Sequence, residues 1–167
     1  MARRLQQVRN HLRPASPSTD DWVQVREILS EAQLEAFRHL PRHDQSHAIC
    51  VMRQVEKSGW VERDLLQAAL LHDIGKSAGG RSPSLLDRTV HVFLRRISPP
   101  VLSALTSSQS WWNGGLVLAV HHPALGAKRA ENLGCSPRAC DLVARHADSG
   151  IRGDQLLQEL QSADRAC

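Results

Sequence analysis

Six residues carry metal-ligand side chains where the sequence pattern places an apolar helix face: His47, His72, Asp73, His122, His146 and Asp164. His47 shares a helical face with Val51 and Val55, at spacings of four and eight. His72 and Asp73 end a segment that is apolar nearly all round, with Leu65, Leu66, Ala68, Ala69, Leu70 and Leu71. His122 falls four residues after Leu118, and His146 follows Ala139, Leu142 and Val143 at seven, four and three. Asp164 follows Leu157 and Leu160 at seven and four. A carboxylate buried without a partner is penalised by several kcal/mol and tends to protonate. No lysine or arginine occupies these stripes, so a divalent cation is the expected partner of both aspartates, with neutral imidazoles completing its shell. A His/Asp shell without thiolate favours Fe or Mn, with Zn, Mg and Co as alternatives, over a closed structural zinc cage. Taken singly, each residue reads as a satisfied core histidine or a solvated carboxylate. Five helical segments each presenting such a group point to a site.

The elements that must position these groups are helical. Ser18 to Asp20 offer caps for a helix over 22–37, where Val25, Ile28, Leu29, Ala32, Leu34 and Phe37 recur at helical spacing. Pro41 interrupts, and Asp44 is the expected cap of a helix over 45–57 closed by Gly59. The segment 61–73 predicts a central buried helix. Further helices are expected over 85–97, near 101–105, over 124–133 after a break at Pro123, over 137–146 with Ser136 as cap, and over 154–164. No period-2 segment of strand length occurs. The expectation is an all-α bundle of eight or nine helices, with a basic N-terminal extension (1–20) and a single helical domain (21–167).

Composition narrows the function classes. The 167 residues are 41% hydrophobic and 23% charged, which describes a globular chain and excludes a disordered one. No run of about 18 apolar residues exists, so no transmembrane helix is expected. The N-terminus has no apolar h-region and so does not read as a signal peptide. The net charge of +4 includes Arg3, Arg4, Arg9 and Arg13, which read as a solvated arm. No nucleic-acid recognition motif accompanies them, so nucleic acid is not an expected partner. Cys50, Cys135, Cys140 and Cys167 show no CxxC and no paired metal spacing and are expected to be buried or free thiols of a reducing cytoplasm.

Leu70-Leu71-His72-Asp73-Ile74-Gly75-Lys76 resembles the signature of the HD-domain (HDIG-type) metal-dependent phosphohydrolases. His47, in Asp44-Gln45-Ser46-His47-Ala48, matches that family's first histidine, and His122-Pro123-Ala124-Leu125-Gly126-Ala127 resembles its HPxxGA segment. His146 and Asp164 match the later histidine and the closing aspartate, so the resemblance spans roughly 37–164. It implies two metals. His47, His72, Asp73 and Asp164 would hold one, and Asp73 would bridge to a second held by His122 and His146. Lys76 would face the substrate phosphate, and a metal-activated hydroxide would hydrolyse a nucleotide-like phosphoester or phosphoanhydride.

Two subgroups fit in part. Cyclic dinucleotide phosphodiesterases share HPxxG, but their Gly-Tyr-Pro motif is absent from a chain without tyrosine. Diadenosine-tetraphosphate-type hydrolases share the closing Ala-Asp seen at Ala163-Asp164, but usually carry Thr where Ala147 stands. A non-catalytic HD signalling or scaffold module is the alternative of a different class. His121 beside His122, and Asp148 against Asp164, stay open as alternates. Trp111 and Trp112 read as core or lid packing, or as a base-stacking rim.

Overall fold

Ser18 opens the first helix, α1 (Thr19–Ile28), through a capping box: its hydroxyl accepts from the Asp21 N–H while the Asp21 carboxylate accepts from the Ser18 N–H. The computed structural model describes residues 17–76, 104–107, 114–149 and 152–167. Ser30 repeats the device with Gln33 and opens α2 (Glu31–Arg38). The single helix expected over 22–37 is therefore two. Leu29 adopts an extended backbone between them. Apolar spacing continues across the break, so periodicity alone does not register it.

Helix α3 (Arg42–Lys57) starts earlier than expected, because Pro41 takes the cap position with extended backbone. Asp44, expected to be the cap, instead lies buried within the first turn, with His43 Nε2 3.1 Å from its Oδ1. Gly59 closes this stretch at a φ of 86°, a conformation natural only to glycine. Helix α4 (Arg63–Leu71) is buried at every position from Leu65 to Leu71. Helix α5 (Gly114–Asn132) runs through Pro123, where a break was expected. Proline there forfeits one hydrogen bond, to the carbonyl four residues back, and the turns on either side carry the helix past it. Helix α6 (Pro137–Arg145) begins as the sequence predicts, with Ser136 as cap and proline at the first position. Asp154 caps α7 (Gln155–Ala166).

These seven helices, with no strand among the described residues, make the fold all-α. Helix α4 is the hub. It packs against α1, α3, α6 and α7, while α5 lies along α6 and α7 along α3. Their shared core includes Phe37, Met52, Leu65, Leu70, Leu71, Leu142, Leu157 and Leu160, each essentially inaccessible. Among the described residues no helix is long and apolar enough to cross a membrane. The expected helix over 85–97, most of the one near 101–105, Trp111, Trp112 and residues 1–16 of the basic extension lie outside the described residues.

Ser136 serves two helices at once. Its hydroxyl accepts from Ala139 N–H at 3.0 Å and donates to Asp64 Oδ1 at 2.8 Å, joining the start of α6 to the start of α4. Ser136→Ala is expected to lower stability by about 1–2 kcal/mol. The check is the denaturant midpoint, which should fall with the slope unchanged.

Candidate metal centre

Helices α4 and α6 stop in the same way. His72 is the C-cap of α4, and its Nδ1–H donates to the Ala69 carbonyl at 3.0 Å. His146 is the C-cap of α6, and its Nδ1–H donates to the Val143 carbonyl at 2.7 Å. A carbonyl can only accept, so each ring carries its proton on Nδ1 and, when neutral, presents a lone pair at Nε2. This is how metal-binding histidines are oriented.

Both Nε2 atoms face Asp73, which is 2% exposed beneath them. His72 Nε2 lies 3.4 Å from Asp73 Oδ2, while His122 and His146 Nε2 lie 3.6 and 3.8 Å from Oδ1. His122 Nε2 stands 3.2 Å from His146 Nε2. On the other flank His47 Nε2 contacts Asp164 Oδ1 at 2.9 Å, and His72 Nε2 lies 3.7 Å from the same oxygen. His72 Nε2 is buried with no hydrogen-bond partner among the described residues.

The spacings suit a cation. Ligand atoms about 2.1 Å from a metal lie about 3.0 Å apart at a right angle and about 3.4 Å apart at the tetrahedral angle. The His72–Asp73, His122–Asp73 and His122–His146 distances fall near that range, and among the described residues two groups, His47/His72/Asp73 and Asp73/His122/His146, bring their ligand atoms within 4.8 Å of one another. Asp73 belongs to both. Asp164 borders the first group through its contacts with His47 and His72.

The alternates resolve by position. His121 is exposed and outside the cluster. Asp148 is exposed, with Arg145 Nε 3.9 Å from its carboxylate. Asp164 stands with the histidines, although it and His47 are less enclosed than the stripe reading predicts, with side chains 33% and 29% exposed. They form the open edge of the centre, and His72 and Asp73 form its floor.

One expectation is corrected. Asp73, expected to have no basic partner, forms an ion pair through Oδ2 with Lys76, the residue that the resemblance turns towards substrate. The reason is local. The chain leaves α4 in a tight 3-10 turn over 74–76, and that turn brings the third residue after Asp73 back onto it.

Two glycines make the approach possible. A Cβ on Gly75 would sit 2.1 Å from the His122 carbonyl oxygen and 2.6 Å from the Gly126 nitrogen. The turn after Asp73 thus lies directly on the backbone of α5, and this contact carries His122 to the carboxylate. Arg129 secures the crossing by donating from Nη1 to the Ile74 carbonyl at 3.2 Å. Sequence spacing treats Gly75 as a helix stop and leaves Gly126 inside a helix. Gly75 stands three residues after His72 and Gly126 four after His122, and nothing local announces the crossing.

The centre polarises its own groups. Burial opposes charge on Asp73, but His72 and Lys76 outweigh it and hold the carboxyl well below its usual range. Burial also opposes charge on Asp164, and the His47 hydrogen bond with the His72 charge brings it down to about 2. Burial resists protonation of His72, yet Asp73 beside it raises the imidazole. Burial and then the His72 charge push His146 down to about 4, which keeps it neutral and available as a ligand.

The His146 shift has a testable sign. Its folded value lies below the unfolded 6.5, so its contribution is complete above pH 6.5 and is lost as pH falls towards 4. His72, shifted upward, acts in the opposite sense, losing its contribution as pH rises through its folded value. In protein stripped of metal, the wild type is expected to lose roughly 3 kcal/mol more than His146→Gln across that acid window. Melting temperatures of the two proteins at several pH values check this. Equal losses would refute it.

Beyond the cluster, Cys50 and Cys167 form a disulfide, with Cα atoms 5.9 Å apart. This corrects the expectation of four buried or free thiols, and Cys135 and Cys140 alone are free. The bonded cysteines are 117 residues apart with no local motif, so spacing rules had nothing to detect.

No protein family, curated protein or solved structure matches the chain.

Proposed function

We propose that the chain is a metal-dependent phosphohydrolase acting on a nucleotide-like phosphoester or phosphoanhydride, as its resemblance to the HD-domain enzymes implies. One observation supports it above the rest. Four histidines from α3, α4, α5 and α6 converge on one buried carboxylate, and two of them have Nδ1 committed to a backbone carbonyl. His47, His72, Asp73 and Asp164 would hold one divalent ion, and Asp73, His122 and His146 a second, with Fe or Mn favoured. Such ions make water acidic enough to attack at neutral pH and neutralise charge on phosphoryl oxygens.

The chain's own residues do the rest. Asp73 spans both halves. His72 and His146 are fixed by their own helices before any ligand arrives, so little ordering is needed on binding. Lys76, 20% exposed, exchanges its Asp73 partner for a substrate phosphate oxygen. Substrate enters over the half-open edge made by His47 and Asp164.

The test is purification without chelator, metal analysis, and hydrolysis assays on a nucleotide panel and a bis-phosphodiester dye. Bound metal with metal-dependent hydrolysis is expected. Protein that carries no metal, takes up neither Mn nor Fe, and hydrolyses nothing would overturn the reading. His122→Ala is expected to lower stoichiometry from about two metals to one, because it removes a ligand from one half only. Wild-type protein saturating at a single metal would sink the two-metal form.

The Lys76–Asp73 ion pair favours a second reading, a non-catalytic helical module whose cluster is balanced by an ammonium group. A melting temperature unchanged by both added metal and Asp73→Ala would select that reading.

A further inference from the structure

Two successive rungs join α3 to α7. His47 Nε2 meets Asp164 Oδ1 at 2.9 Å. Three residues further along each helix, Cys50 is bonded to Cys167. Residues three apart lie on one side of a helix, about 4.5 Å along its axis. The rungs therefore occupy one seam, and the two helices run the same way along it.

The seam is where the centre is least enclosed. His72 and Asp73 are held by core on every side, whereas His47 and Asp164 have side chains 29% and 33% exposed. Asp164 lies in the last turn of α7, and helix ends fray because their final carbonyls have no partner within the helix. Cys167 is the C-cap of that turn, its N–H 3.3 Å from both the Ala163 and Asp164 carbonyls. The covalent tie falls where packing does least to hold a ligand residue.

We infer that the Cys50–Cys167 disulfide is a positioning crosslink: it sets His47 and Asp164 for one metal, and its reduction by a dithiol weakens that half of the centre. The inference rests on the metal-centre reading above. In the reduction, one thiolate of the dithiol attacks a sulfur of the bridge and releases the other cysteine. The second thiol of the reductant then closes its own disulfide, so two electrons and two protons pass to Cys50 and Cys167. The remaining cysteines do not compete. Burial pushes the Cys135 thiol up to about 11 and shifts Cys140 the same way, which keeps both as unreactive thiols at neutral pH. The other half of the centre has its ligands outside the seam. Asp73, His122 and His146 sit on the turn after α4, on α5 and at the end of α6, and none is on α3 or α7.

The experiment is a titration with Mn2+ alone, made on three forms: oxidised wild type, dithiol-reduced wild type with the reductant removed under argon, and the double variant Cys50→Ser/Cys167→Ser. Far-UV circular dichroism, taken well below melting, establishes that each form is folded. Oxidised protein is expected to bind two ions. The reduced protein and the double variant should hold one ion with unchanged affinity and the second about 10–100-fold more weakly. Reoxidation should restore the second site in wild type and not in the variant. Faster amide exchange confined to the last turn of α7 should accompany the weakening. Equal affinities before and after reduction, or equal weakening of both sites, would overturn the inference, since a general loosening does not choose between halves. Oxidised protein that binds no Mn2+ would overturn the functional reading and this inference with it.

Discussion

Asp73→Asn is expected to abolish binding of both metals and to reduce hydrolysis roughly a thousandfold or more, about 4 kcal/mol of transition-state stabilisation. The substitution keeps the volume and removes the charge. Asp73 is the one residue common to both ligand groups, so its loss cannot be absorbed by either half. His122→Ala, by contrast, leaves His47, His72 and Asp73 in place. Helix content should survive, because no backbone bond of α4 depends on the carboxylate. Metal analysis, hydrolysis of the dye and far-UV circular dichroism on one preparation separate chemistry from folding. A variant that keeps either metal, or retains more than a few per cent of wild-type turnover, would contradict the bridging role.

Gly75→Ala is expected to be the most destabilising single-methyl change near the centre. The new Cβ would meet the His122 carbonyl oxygen at 2.1 Å and the Gly126 nitrogen at 2.6 Å. Both are backbone atoms and cannot swing aside, so α5 must move off the turn and take His122 with it. Overpacking of this kind costs about 3 kcal/mol. In a domain of this size that corresponds to a fall of about 6–12 °C in melting temperature. Metal stoichiometry should fall with it, from about two to one. Gly126→Ala supplies the contrast, since its Cβ would meet Val143 Cγ1 at 3.2 Å and the Gly75 nitrogen at 3.3 Å, contacts that need a shift of only a few tenths of an ångström. Similar melting of the two variants, or a Gly75→Ala protein with both metals, would show that the crossing is not what places His122.

The cluster itself was legible because polar groups on apolar stripes are costly and therefore informative. His72 and Asp73 follow a helix with no polar face, and the structure buries both. Ser136-Pro137 announced the start of α6 through backbone chemistry that acts within four residues. Legibility ended where the deciding contact was not local. Nothing near Cys50 points to Cys167, and nothing near Gly75 points to the backbone of α5. Lys76 is close to Asp73 in sequence, but it reaches the carboxylate from a turn tighter than the helix whose stripes the pattern describes. Leu29 shows the opposite failure, an apolar residue that satisfies the helical pattern from an extended backbone. Pro123 shows that a rule about helix interiors yields within a long helix that continues on either side of it.

The two capping histidines have a consequence that does not depend on their rings. Peptide dipoles align along a helix, and each C-terminal end acts like about half a negative charge. Helices α4 and α6 both end at the centre, and the last turn of α7 carries Asp164 there. The backbone thus supplies a standing negative potential at the point where the Nε2 atoms meet. No side-chain substitution removes it. Variants lacking one ligand should still feel this potential, which raises the local cation concentration without holding an ion at a site. What the ligands add is the choice of cation and the precision of its placement.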